Sequence, residues 1–166
     1  MTPRWLLLFA LLAGGWTSLV DADESLDEAF QRDVLIIEAS AHACYRFDIW
    51  LALARDQQRR GLMHVREMPA TSGMLFVYET PDVHSMWMKN TFISLDIAFA
   101  RADGSITNIE THTEPQSLRS IASVEAVNFV LELNAGTAER LSIDTESRLI
   151  WVPRADLGAD QTATED

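Results

Sequence analysis

Residues 91–101 place Ile93, Leu95, Ile97 and Phe99 at every second position, and the chain then turns at Asp103-Gly104 into a second apolar-rich run at 106–110. A two-residue period closed by an Asp-Gly turn is the pattern of an antiparallel hairpin, so the middle of this chain is expected to be β structure. Short runs of the same kind lie on both sides. Residues 34–39 (VLIIEA) and 129–133 read as strands, and 148–152 as a last one. Residues 46–54 read as a half-buried strand, with Phe47, Ile49, Leu51 and Leu53 on one face and Asp48 and Trp50 on the other. Residues 74–78 are apolar without a break, as in a strand covered on both faces. Helical signals are weaker. One helix is expected over 56–66, opened by Asp56 and closed before Pro69, with Gly61 inside it costing ~1 kcal/mol relative to alanine. Another is expected over 137–141, after the Asn134-Ala135-Gly136 turn. There is no strand–helix–strand alternation and no internal repeat. The expected fold is mainly β, a compact single-domain β-sandwich or barrel-like fold with one or two short helices.

The amino end has the form of a secretory signal. Arg4 precedes an apolar stretch at 5–13, and Val20 and Ala22 put small residues at the −3 and −1 positions of a cleavage site. That stretch is well short of the roughly 20 residues that cross a bilayer as a helix, which disfavours the alternative of an uncleaved anchor. The expected organisation is a signal peptide at 1–22, an acidic arm (mobile or a short helix) at 23–33, one β-rich domain at 34–155 and a disordered tail at 156–166. The mature protein is expected to be periplasmic or secreted, with no stable membrane insertion after signal cleavage.

Composition narrows the partners. The chain has 166 residues, 48% of them apolar, and carries 13 Lys+Arg against 25 Asp+Glu for a formal net charge of −12. A polyanion needs a basic stripe, so no nucleic-acid partner is expected. Cys44 is the only cysteine, which excludes an intrachain disulfide. It is expected to be a small buried hydrophobe rather than a reactive thiol beside His42. No CxxC or HxxxH spacing, Ser-His-Asp order or phosphate-cradling glycine loop is present, so neither a metal nor a cofactor is indicated and no residue is assigned as catalytic.

The densest run of unusual residue types is Met86-Trp87-Met88-Lys89-Asn90-Thr91, and Lys89 is the only lysine among the 13 basic residues. A lysine kept where arginine serves everywhere else points to a task that needs a compact ammonium. If the strand at 91–101 extends backwards in register, Trp87 and Lys89 share the face of Ile93 and Leu95. A break near Asn90 would instead leave Lys89 on a loop, with Met86, Trp87 and Met88 as core filler and the lysine reaching to water.

Five motifs occur in order: Arg60-Gly61-Leu62-Met63, Gly73-Met74-Leu75-Phe76-Val77, Trp87-Met88-Lys89-Asn90-Thr91, Leu95-Asp96-Ile97, and Val130 to Gly136 (VLELNAG). Together they resemble the domain of unknown function 192 family of bacteria and archaea, whose members are often exported, over residues 34–152. The resemblance implies a compact β-sandwich or barrel-like domain and no assigned activity. Matching position by position points to Arg60, Gly61, Met63, Gly73, Met74, Trp87, Met88, Lys89, Asn90, Asp96, Glu132 and Gly136. The chain departs from the family near its final turn, where Ser142 and Glu146 stand in place of glycines.

Each matched residue also has a plain reading. The glycines serve backbone geometry, and Met63 and Met74 serve the core. Asp96 pairs with Lys89 or an arginine, or faces water. Glu132 is a solvent-face carboxylate unless Arg60 or Lys89 reaches it. The candidate ligand site comprises Arg60, Met63, Trp87, Met88, Lys89, Asn90, Thr91, Asp96 and Glu132, with Trp50 or Tyr78 as further wall residues. The reading preferred from the sequence is an envelope module that binds a small ligand, such as a glycan stacked on Trp87, or interacts with another envelope component. One alternative is a Cu(I) carrier using Met63, His64, Met68, Met74, His84, Met86 and Met88 as soft ligands. Others are an enzyme pairing Lys89 with Asp96 or Glu132, and a purely structural or interaction domain. Whether the protein is an enzyme stays open at this level.

Overall fold

The computed structural model describes residues 25–153. The expected signal and its cleavage site, and the expected tail at 156–166, lie outside the described residues. The elements run α1 (Leu26–Ala29), β1 (Gln31–Glu38), β2 (Cys44–Ala52), α2 (Arg55–Arg60), β3 (Ser72–Asp82) and β4 (Ser85–Met86). They continue with β5 (Leu95–Ala100), β6 (Ile106–Glu110), β7 (Ile121–Ala122), β8 (Val127–Asn134), α3 (Thr137–Leu141) and β9 (Arg148–Ile150). The fold is mainly β, as the alternation and turn pattern lead one to expect.

Seven strands form one sheet in the order β6-β5-β8-β3-β2-β1-β9, antiparallel throughout except for β2 and β3, which the crossover through α2 leaves parallel. The sheet curls into a nearly closed barrel. Its last strand meets the β5–β6 turn: Leu149 N–H donates to the Gly104 carbonyl at 2.9 Å and Arg148 Nε–H to the Asp103 carbonyl at 2.7 Å. Gly104 has φ +85, and a Cβ there would stand 1.9 Å from the Leu149 carbonyl oxygen. Only glycine permits this seam.

Strand parity separates two apolar clusters. Leu35, Ile37, Ile49, Leu75, Ala98 and Leu131 point into the barrel. Met74, Phe76, Ile97, Phe99 and Val130 point outward, yet they are buried too. Their cover comes from the segment after α2, from residues 83–94 and from the two-stranded β4–β7 ribbon, and it includes Leu62, Met68, Met88 and Ile121. The doubly covered run at 74–78 is thereby explained, and β5 proves to be buried on both faces as well.

Several boundaries differ from the sequence reading, for physical reasons. The helix expected over 56–66 ends at Arg60, because Gly61 adopts φ 49 and packs so closely on Phe76 that a Cβ would meet its Cζ at 3.1 Å. Asp56 sits inside the first turn rather than capping it; the Gln57 side chain takes the Leu53 and Ala54 N–H groups, each at 3.0 Å. The strand expected from residue 91 begins at Leu95, since Asn90 has φ 57 and Thr91 N–H closes a turn on the Met88 carbonyl at 3.0 Å. The backward register that would align Lys89 with Ile93 is therefore not formed. Residues 25–33, read as part of an acidic arm, hold α1 and the start of β1. Asp27 accepts the Trp50 indole N–H at 2.7 Å and the Arg32 guanidinium lies 4.1 Å from the ring, so Trp50 is buried on the face expected to be polar. Cys44, expected to be buried, is exposed at the first position of β2, beyond the reach of either core.

Candidate functional site

Glu132 lies in β8, flanked in register by Met74 of β3 and Ile97 of β5. The two-residue period sends its side chain to the outer face with Val130 and Asn134. The sequence places Glu132 in solvent; the structure corrects this, because the cover over the outer face leaves it 4% exposed. It makes no side-chain hydrogen bond among the described residues, and its Oε2 is enclosed without a partner. Burial pushes the carboxyl up to about 8, so the group is mostly an uncharged acid at neutral pH.

Above it opens a narrow cleft of about 80 Å³. α2 and its Gly61 cap bring Arg59, Arg60 and Met63 to one wall; Tyr78 of β3 and Met86 of β4 stand on another. Thr91 and Trp87 complete the rim. The Tyr78 phenol is pushed up to about 12, first by burial and then by the charge Glu132 would carry when ionised. His84 stacks on Tyr78 with ring centroids 3.5 Å apart and 15° between planes. Its enclosed Nε2 has no hydrogen-bond partner among the described residues, and burial lowers its pKa against the opposing pull of Asp82.

The structure brings Arg60, Met63, Trp87, Thr91 and Glu132 together around this cleft. Trp87 is 51% exposed at its mouth, and the Lys89 ammonium sits 5.3 Å from the ring centroid on the outside. Lys89 is exposed and makes no ion pair among the described residues, so it pairs with neither Asp96 nor Glu132. Asn90 is exposed beside Met63, with Nδ2 4.0 Å from Sδ. Met88 is wholly buried in the outer core. Asp96 lies on the other face of the sheet: its two oxygens accept the His112 N–H at 3.0 Å and the Ala138 N–H at 2.9 Å, the second at the start of α3. Asp96 is thus a buried structural carboxylate rather than a partner of Lys89 or a group facing water. Trp50, beneath α1, is on the same outer face but does not line the cleft.

The soft-ligand set is divided among packing tasks. Met68, Met74 and Met88 fill the outer core, His64 meets Phe92 edge-on at 6.0 Å, and His84 is taken up by Tyr78. Arg59, which sequence reasoning left aside, and Met86, read there only as a soft metal ligand, join the lining through α2 and β4. A lone glutamate inside an apolar strand was the one signal for the cleft's floor.

A crystal structure from Sinorhizobium meliloti 1021, provisionally described as a transcription regulator, is 36% identical, with a TM-score of 0.71 over 73% of this chain and 94% of that one. A protein of unknown function from Novosphingobium aromaticivorans DSM 12444 is 30% identical, with a TM-score of 0.71 over 74% of this chain and 86% of that one. No curated protein matches. The family model DUF192, described as an uncharacterized ACR, matches residues 36–151, and the chain belongs to that family.

Proposed function

We propose that this protein is an exported envelope module that binds a small ligand in the outer-face cleft, a glycan being the best fit. The observation that carries the reading is Glu132: a carboxyl at the floor of the cleft whose enclosed Oε2 has no hydrogen-bond partner among the described residues. Leaving a buried polar group unmade costs about 1–3 kcal/mol, a cost that a ligand supplying the missing partner removes. Trp87 adds a half-exposed indole face at the mouth, on which a sugar ring stacks while the polar groups below read its substituents. The secretory pattern at 1–22 supports delivery to the envelope. The regulator description of the Sinorhizobium structure is not carried over, because a net charge of −12 opposes a phosphate backbone.

The test is thermal unfolding of residues 23–166 with a panel of neutral, acidic and amino sugars and cell-wall fragments. A ligand at 100 times its Kd stabilises by about 2.7 kcal/mol, a readily measured rise in Tm. The expected result is a rise for at least one compound that Trp87→Ala abolishes. A panel that shifts neither protein overturns the reading.

A further inference from the structure

We propose that the sugar this module takes carries an anionic group, with its ring lying on Trp87 and its charge met by the Lys89 ammonium. This rests on the glycan-binding reading above and names the class of sugar. Charge is unevenly spread over the chain. Asp and Glu make up 25 of 166 residues, yet the stretches 57–66 and 83–95, which carry the cleft rim and much of the outer cover, contain neither. Their charged side chains are Arg59, Arg60, Arg66 and Lys89, all basic.

Within the second stretch the backbone displays two residues by burying the one between them. Met88 is wholly buried, while Trp87 and Lys89 on either side of it are exposed. Backbone bonds hold this display in place. Met88 N–H donates to the Ser117 carbonyl at 3.0 Å, Thr91 N–H to the Met88 carbonyl at 3.0 Å, and His64 N–H to the Asn90 carbonyl at 2.8 Å.

The groups left unspent there are donors. Trp50 and Trp151 give their indole N–H groups to Asp27 and Asp33, at 2.7 and 3.0 Å, whereas the Trp87 N–H has no hydrogen-bond partner among the described residues. The Lys89 ammonium lies 5.3 Å from the Trp87 ring centroid and makes no ion pair among the described residues. Glu114 and Arg119 sit on the neighbouring loop that Ser117 ties to Met88; Arg119 is paired with Glu110, and Glu114 forms no ion pair with Lys89. Asn90 adds an exposed amide whose Nδ2 makes one long approach, 4.0 Å, to Met63 Sδ.

A ligand that meets this run has to supply acceptors, and an anionic oxygen is the strongest acceptor for an ammonium. Lysine suits the task, because its compact charge rides on a flexible stem and can follow a substituent of a sugar ring stacked on the indole. An exposed pair of this kind is worth about two- to fivefold in affinity, so it selects among sugars while the indole supplies the contact.

Four probes with one ring separate the cases: methyl β-D-glucoside, methyl β-D-glucuronide, the 6-sulfate of the glucoside, and methyl β-D-glucosaminide. Each is titrated into residues 23–166 and followed by the Trp87 indole N–H resonance, with those of Trp50 and Trp151 as references for an intact fold. Both anionic probes are expected to bind about two- to fivefold tighter than the neutral glucoside, and the amino sugar weaker. The tighter of the two anions identifies the group as carboxylate or sulfate. Lys89→Gln is expected to remove the preference for anions, Lys89→Arg to retain it, and Trp87→Ala to abolish binding of all four. Equal binding of neutral and anionic probes, tighter binding of the amino sugar, or a preference that survives Lys89→Gln overturns the inference and leaves a glycan module standing. If no probe moves the Trp87 resonance the inference fails, and the glycan reading is then decided separately by the wider sugar panel.

Discussion

The imidazole of His84 lies flat on the phenol ring of Tyr78, 3.5 Å between centroids, and Tyr78 in turn senses the charge state of Glu132. Two titratable groups, each with an enclosed atom that lacks a hydrogen-bond partner among the described residues, are thus linked through one aromatic ring.

This arrangement gives stability a definite pH slope. Glu132 has a folded pKa near 8 against 4.5 as its ordinary value, so the folded state holds more protons than the unfolded state between those limits. Its contribution is fully present below pH 4.5 and is lost as pH rises through 8, at up to ~1.4 kcal/mol per pH unit. His84, shifted downward, opposes this near its ordinary value. The clean measurement is therefore a difference: denaturant unfolding of wild type and Glu132→Gln from about pH 5.5 to about pH 8. The variant is expected to gain on the wild type steadily across that range. A constant gap would mean that Glu132 is ionised in the folded protein.

Asp96 fastens the start of α3 and the His112 loop to β5 through two backbone N–H groups. Asp96→Ala leaves both without an acceptor and is expected to cost about 3 kcal/mol in urea unfolding. Asp96→Asn, which keeps one acceptor oxygen, is expected to lose less. Equal, negligible losses would remove Asp96 from the fold's support.

Lys89 rests on an exposed indole, a geometry worth about 0.5–1 kcal/mol. Lys89→Met is therefore expected to keep its melting temperature within a few degrees of wild type. A larger drop would show that the lysine has a structural partner beyond Trp87.

Cys44 stands exposed at the edge of the β1–β2 hairpin, opposite Glu38. A maleimide is expected to label it stoichiometrically in the folded protein, with no loss of the unfolding transition. Labelling that requires denaturant would place the thiol inside.

How much of this was legible depends on what kind of order each part has. β2 and β5 announced themselves through two-residue periodicity, β1 and β3 as compact apolar runs, and α3 through Gly136 and the short run after it. Sheet order did not, because β8 lies between β3 and β5 by pairings that join distant parts of the chain. Glu132 was misplaced for the same reason: on one strand it looks outward, and only the irregular cover from residues 61–71 and 83–94 buries it. Irregular segments carry no period to read. The break at Asn90 is a single positive φ in an otherwise alternating stretch. Trp87, by contrast, stood out through its neighbours, and the cleft rim is where the structure puts it.

The seam at Gly104 ties the order of synthesis to the order of assembly. β9 is the last element of the described chain, and its bonds reach both β1, made early, and the turn before β6, made midway. While the polypeptide is being produced from its amino end, the curled sheet has one free lip, and every other strand can already be paired before residues 148–150 emerge. The cylinder is a vessel that nothing can shut until this hoop arrives, so a nascent chain of this kind stays unsealed until residues 148–150 have been made.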